Sequence, residues 1–130
     1  MIKTGDVFHA EYSNYYGHDK KHFFYCIYTQ RQDVNNTLSE DIIGLMITSN
    51  PKMDYIIETK NDYNVKIRLK NEDAYVCSDK VFRFNTNDKI NKVNNSVLTN
   101  KEKRLINTYF KKFIKESFRQ LESAYDKKKR

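Results

Sequence analysis

His22-Phe23-Phe24-Tyr25-Cys26-Ile27-Tyr28-Thr29-Gln30 decides the architecture. An aromatic and β-branched run of this kind suits a buried central strand. Before it, Ser13 to Lys21 (SNYYGHDKK) reads as a polar, glycine-containing loop. Before that loop, Val7, His9 and Glu11 alternate with Phe8, Ala10 and Tyr12. This period of two marks Gly5 to Tyr12 as a strand. After the run, Arg31 to Asp41 is expected to be a second polar loop, with Asn35-Asn36 as its turn signal. Ile42 to Ser49 reads as another buried strand, ended by Pro51, because proline cannot donate to a central ladder.

Farther out, Tyr55 to Thr59 and Asn64 to Leu69 are expected to pair across a Lys60-Asn61-Asp62 turn. In the second of these, Val65, Ile67 and Leu69 alternate with Lys66, Arg68 and Lys70, which gives one apolar and one basic face. Ala74 to Phe84 adds one or two short strands. About six strands at this spacing point to a small barrel or a strongly bent sheet.

The period then changes. Thr99-Asn100-Lys101-Glu102 is a capping box, in which threonine accepts from the third helical N–H and glutamate reaches back. Leu105, Ile106, Tyr109, Phe110, Phe113, Ile114, Phe118, Leu121 and Tyr125 follow on one helical stripe. Lys103, Lys111, Lys112, Lys115 and Arg119 lie opposite. The stripe is too apolar to stay wet, so the helix is expected to dock on the sheet. The fold class is therefore α+β: a small SH3-like, strongly bent antiparallel sheet or barrel with a long C-terminal amphipathic helix. One domain is expected over residues 1–125, and 126–130 read as a disordered basic tail.

Composition narrows the function. A length of 130 residues gives one domain, and ten Tyr with eight Phe argue against disorder. Apolar runs are too short to cross a bilayer, and the start lacks the apolar core of a signal peptide, so a cytoplasmic location is expected. Cys26 and Cys77 cannot form a disulfide framework, and no Cys/His spacing predicts a metal or other cofactor. Cys26 reads as a small core residue, and Cys77 lacks a histidine partner for thiol chemistry. Three glycines allow no Gly-rich phosphate loop. The net charge of +7 suits a polyanionic partner, although the Lys/Asn/Ile richness of AT-rich coding also raises it.

Three places carry chemistry. Tyr15-Tyr16-Gly17-His18-Asp19-Lys20-Lys21-His22 combines aromatics that stack bases with lysines that meet phosphates. Ile47-Thr48-Ser49-Asn50-Pro51-Lys52 presents two hydroxyls and a lysine where a rigid strand emerges. In Cys77-Ser78-Asp79-Lys80, read as a turn at the sheet rim, Asp79 is the residue that would orient a lysine or accept a hydrogen bond. Each also has a plainer reading as an ordinary solvated loop or turn. These parts suit RNA cleavage without a metal, in which the substrate's own 2′-OH is the nucleophile. The protein must then align that group, move two protons and stabilise a phosphorane-like transition state.

The Gly5-Asp6-Val7-Phe8 opening, a loop ending in a basic residue before a hydrophobic strand, an Ile-Thr-Ser strand end and a closing helix resemble the MazF/PemK-like endoribonuclease toxins. The nearer resemblance is to the type III toxins, the ToxN, AbiQ, TenpN and CptN group, and within it to the CptN branch. That resemblance implies an SH3-like barrel and a toxin that cleaves single-stranded RNA to a 2′,3′-cyclic phosphate and is inhibited by an RNA pseudoknot antitoxin. It matches Lys21 to a lysine before an aromatic-containing strand, and Thr48-Ser49-Asn50-Pro51-Lys52 to a Thr-Ser-Pro-Lys run. Asn50 is an extra residue in that run. His22-Phe23 stands where MazF proteins commonly carry Arg-Pro, so charge there comes from Lys21 or a protonated His22.

The expected catalytic residues are Lys21, His22, Thr48, Ser49 and Lys52. The expected RNA contacts are Tyr15, Tyr16, His18, Lys20, Lys66, Arg68, Lys80, Lys111 and Lys112. The expected partners are substrate RNA and antitoxin RNA, in a higher-order assembly such as a 2:2 complex, with no membrane and no DNA. The alternatives are a non-catalytic nucleic-acid-binding barrel, a MazF-type mRNA interferase with a protein antitoxin, and a basic protein-interaction domain.

Overall fold

A computed structural model of the chain describes residues 2–13, 19–34, 37–49, 61–85, 88–94 and 98–128. Its strands are β1 (Val7–Ser13), β2 (Asp19–Val34), β3 (Thr37–Thr48), β4 (Asn64–Leu69), β5 (Glu72–Asn85) and β6 (Ile90–Lys92), followed by helix α1 (Asn100–Lys128). The strands form one six-stranded antiparallel sheet in the order β4-β5-β3-β2-β1-β6. The fold is thus α+β, with a C-terminal helix on an antiparallel sheet. Among the described residues the sheet does not close on itself, and it fits an SH3-like bent sheet or barrel only loosely.

The opening run lies in β2, interior to the sheet between β1 and β3. The polar loop expected over Arg31 to Asp41 is instead the far arm of the β2–β3 hairpin, paired from Gln30↔Asp41 to Val34↔Thr37. Backbone pairing carries such an arm outward, and it needs no apolar side chains to do so. Asn64–Leu69 pairs with β5, joined by the two-residue turn Lys70-Asn71, where both φ angles are positive (52° and 66°). That is the backbone of a tight primed hairpin. Asn61 and Asp62, expected in a hairpin turn, begin a short 3-10 turn, Asn61–Tyr63. Tyr55 to Thr59 lie outside the described residues. Strand β6 has no counterpart in the sequence reading.

The Cys77–Lys80 turn expected at the sheet rim lies inside β5. Leu45 pairs with Val81 while the next residue, Met46, pairs with Cys77, so Ser78, Asp79 and Lys80 are extra in β5. A second irregularity sits between Cys26 and Tyr28. Such bulges bend a strand and increase its twist.

Alternation divides the apolar residues into two cores. On one face Val7, Tyr25, Leu45, Ile47, Val65 and Ile67 pack with Ile106 of α1. On the other, Phe8, Phe24 and Phe84 gather with Ile2, Cys26 and Met46. Phe24 and Phe84 meet edge to face at 4.8 Å, and Phe8 and Phe24 stack at 5.6 Å.

The capping box forms as read. Thr99 Oγ1 accepts from the Glu102 amide at 3.1 Å, and Glu102 Oε1 accepts from the Thr99 amide at 2.8 Å. The stripe docks through Ile106, Tyr109, Phe110 and Phe113, while Leu105 before them stays exposed. Ile106 is fully buried, and Phe113 meets Tyr63, whose hydroxyl donates to Glu116, while Phe118 and Leu121 are 59% and 66% exposed. Length explains the difference. A helix of 29 residues runs about 43 Å at 1.5 Å per residue, whereas the six-residue β4 covers only about 20 Å. The helix also continues to Lys128, past the Tyr125 limit and into the tail expected to be disordered. Among the described residues, no helix is long and apolar enough to cross a membrane.

Candidate functional site

Strand β3 stops at Thr48, one position past the register pair Phe23↔Ile47. His22 lies across from that end, and its Nδ1 donates to the Ile47 carbonyl at 3.0 Å. A carbonyl can only accept, so Nδ1 carries the proton in this contact, and Nε2 is the accepting nitrogen of the neutral ring. The end of β3 therefore orients an imidazole through its own backbone.

A groove of about 260 Å³ surrounds this point. His9, His22 and Phe23 form one wall, and Ile47, Thr48 and Ser49 form its end. The β4–β5 hairpin closes it with Leu69, Lys70, Glu72, Asp73 and Ala74. Alternation places His9 and Phe23 on the helix-covered face, with their rings 4.9 Å apart, and His22 on the other. The groove takes in both histidines because β3 ends between the two faces. Thr48 is buried and Ser49 exposed, so one hydroxyl is held in the wall and the next is offered to solvent.

Charge is mixed. The ammonium of Lys70 lies 5.3 Å from the centre of the Phe23 ring. Asp73 is held by Lys66 at 3.5 Å and Arg68 at 3.3 Å. These exposed pairs add little stability, but they offset one of the two groove carboxylates. His9, Phe23 and Lys70 are shared with a second, more open recess of about 470 Å³, completed by Asn91, Lys92, Val93 and Asn94.

Behind the groove, nucleophilic chemistry is shut down. Burial, with the neighbouring Cys26, pushes the Tyr25 hydroxyl up to about 12. Burial pushes the Cys26 thiol up to about 12 as well, against a hydrogen bond with the Tyr28 backbone that lowers it and with help from Asp6 and Glu40. Both stay protonated at neutral pH, and a buried thiol of this kind is inert. Cys26 and Cys77 are both buried, and they form no disulfide with each other.

Of the sequence-read catalytic residues, His22, Thr48 and Ser49 come together in the groove. Lys21 precedes His22 in β2, paired with Glu11, and Lys20 pairs with Tyr12. Lys52, Tyr15, Tyr16 and His18 lie outside the described residues. Lys66 and Arg68 are exposed on β4 and reach the groove rim through Asp73. Lys80 lies in the β5 bulge, while Lys111 and Lys112 are exposed on α1, Lys112 with its ammonium 5.9 Å from the Tyr63 ring centre. None of these three lines the groove. Among the described residues, no three or more His, Cys, Asp or Glu are placed to share a metal ion.

His9 and Phe23 were missed as site residues, whereas the sequence reading places Lys70 with Lys66 and Arg68 on the basic face. His9 had a signal, being a polar ring on the same register as the buried Val7. The place of Lys70 in a hairpin turn had none, because a lysine at positive φ does not mark one. No protein-family model matches the chain, and no curated protein matches it in sequence.

Proposed function

We propose that the chain is a metal-independent, sequence-specific endoribonuclease that acts in the cytoplasm as the toxin of a type III toxin–antitoxin pair. The observation that carries the enzymatic reading is the groove itself. Two imidazoles, a lysine and two adjacent hydroxyls, brought together by strands β1, β2 and the end of β3 and by the β4–β5 turn, line one cavity. Nε2 of His22 takes the proton of a substrate 2′-OH as that oxygen bonds to phosphorus. The bond from phosphorus to the 5′-oxygen breaks, and His9, entering as imidazolium, gives that oxygen its proton. The products are a 2′,3′-cyclic phosphate and a 5′-OH. Lys70, Thr48 and Ser49 donate to the non-bridging oxygens, where charge develops.

The toxin assignment is supported by the resemblance carried by Lys21 and Thr48-Ser49-Asn50-Pro51-Lys52, with a pseudoknot RNA occupying the same groove in a 2:2 assembly. The test is incubation of purified protein with single-stranded RNA in EDTA, followed by analysis of the new ends. The expected outcome is cyclic phosphate ends. His22→Asn keeps a donor for Ile47 but loses the base, and should lower kcat about 10²- to 10⁴-fold. RNA that is bound but left intact would sink the enzyme and favour a non-catalytic RNA-binding domain. Light scattering that shows only a 1:1 complex with the antitoxin RNA would sink the assembly alone.

A further inference from the structure

We propose that the open recess beside the groove is a nucleobase pocket that holds one unpaired nucleotide, adenine by preference, next to the scissile phosphate; this rests on the endoribonuclease reading above. At about 470 Å³ the recess has the size of a small-ligand site. Its floor is the half-buried Phe23, flanked by the His9 ring at 4.9 Å. The Phe23 ring is covered by the Lys70 ammonium. Lys70 stands on the tight β4–β5 turn, so a rigid hairpin presents that charge.

The two interactions compete for one ring, and magnitude decides between them. An exposed cation over an aromatic ring shifts an equilibrium by about 2- to 5-fold. A base stacked on an aromatic contributes about 5- to 150-fold. An arriving base therefore displaces Lys70 from Phe23, and the freed ammonium is left beside the phosphate of the same nucleotide. The apolar contact it gives up is replaced by the base, and its charge is used on the backbone.

The far wall supplies the reading groups. Asn91 pairs in register with His9, so β6 fixes it on the same face of the sheet. Asn94 follows on the segment that the Val93 amide ties to the Val7 carbonyl at 2.9 Å. Lys92 is held by Asp6 at 3.4 Å, which leaves the exposed amides as the neutral groups of this wall. An asparagine amide carries one donor and one acceptor side, the pattern that matches N6 and N7 of adenine. Among the described residues, no carboxylate lines this recess, in contrast to the groove beside it.

The experiment uses 2′-O-methyl oligonucleotides, which cannot react, and reads binding by fluorescence anisotropy at fixed salt. Wild-type protein should bind adenine-containing strands at least several-fold more tightly than all-pyrimidine strands. Phe23→Leu should weaken binding about 5- to 150-fold. Asn91→Ala, at an exposed position that does not support the core, should abolish the adenine preference. Unchanged binding and preference in both variants overturns the pocket, and if wild type still cleaves RNA the catalytic reading survives that failure. Binding that depends on Phe23 and Asn91 in a protein that cleaves no RNA upholds the pocket and removes the catalytic reading instead.

Discussion

The two faces of the sheet are closed in different ways. One is aliphatic and is covered by a separate element, α1, whose anchor is Ile106. The other is aromatic and is closed by the rings themselves, with Phe8, Phe24 and Phe84 filling the bend and the N-terminal Ile2 beside them. An aromatic ring buries roughly 150–250 Å², so a few rings do on one face what a helix does on the other. The difference is one of cooperativity. The aromatic core is made of residues already inside the ladder and can be lost only with the sheet. The helix-covered core joins two bodies and can open at their seam.

Phe24→Ala and Ile106→Ala test this directly. Both side chains are fully buried. Phe24→Ala should cost about 3–5 kcal/mol and Ile106→Ala about 2–5 kcal/mol. The informative difference is in amide hydrogen exchange. Phe24→Ala should lower protection across β1, β2, β3 and β5 together, whereas Ile106→Ala should release α1 while the β2–β3 ladder keeps its protection. Equal loss across helix and sheet in both variants would show that the two faces are one cooperative unit.

Gly44→Ala comes next in size. A Cβ at Gly44 would stand 2.8 Å from Phe8 Cζ and 3.1 Å from Phe24 Cβ. Phe8 has no exposed surface and is held by Phe24 and Phe84, so its ring cannot step aside cheaply. The expected cost is about 1–3 kcal/mol. Pairing the change with Phe8→Leu should recover part of it, because neighbours that share a space do not add. A neutral Gly44→Ala in a denaturant melt would mean that the aromatic face is loosely filled, and the contrast between the faces would weaken.

Local pattern made much of this legible. The central strand, the apolar register of Val65, Ile67 and Leu69, and the Thr99–Glu102 cap all depend on neighbours in the chain, and all stand where their residues predict. Long-range choices were not legible. Nothing local marks Gly44 as the place where two phenylalanines need room. Lys70-Asn71 adopts a tight primed turn without the glycine that usually announces one. The Arg31–Asp41 arm is polar because it projects, and polarity alone cannot separate a projecting strand from a loop. The site divides in the same way. Thr48 and Ser49 were readable as the end of a strand, while His9, Lys70 and Asn91 join them only through pairings made by the completed sheet.

The smallest expected effect comes from Glu102, which ties the helix to the sheet edge. Besides closing the cap, its Oε2 accepts from the Arg68 amide of β4 at 3.0 Å. Partial burial opposes its ionisation, but the Thr99 and Arg68 amides and the Thr99 hydroxyl outweigh that, so its carboxyl is held below the ordinary value of 4.5. A lowered carboxylate pKa means that the unfolded chain binds the proton more readily. The stabilisation is therefore complete above the ordinary glutamate range and is lost as pH falls through the folded value. Glu102→Gln should cost about 0.3–1 kcal/mol at neutral pH, toward the lower end because solvent screens the group. Melts from pH 7 down to pH 3 should show the gap between variant and wild type narrowing with acid. Exchange should quicken at the Arg68 amide and the first turn of α1, with the Phe8–Phe24 ladder unmoved. A gap that stays constant with pH would mean that geometry rather than charge makes this tie, and exchange that quickens on both faces would mean that the seam is not separate from the sheet.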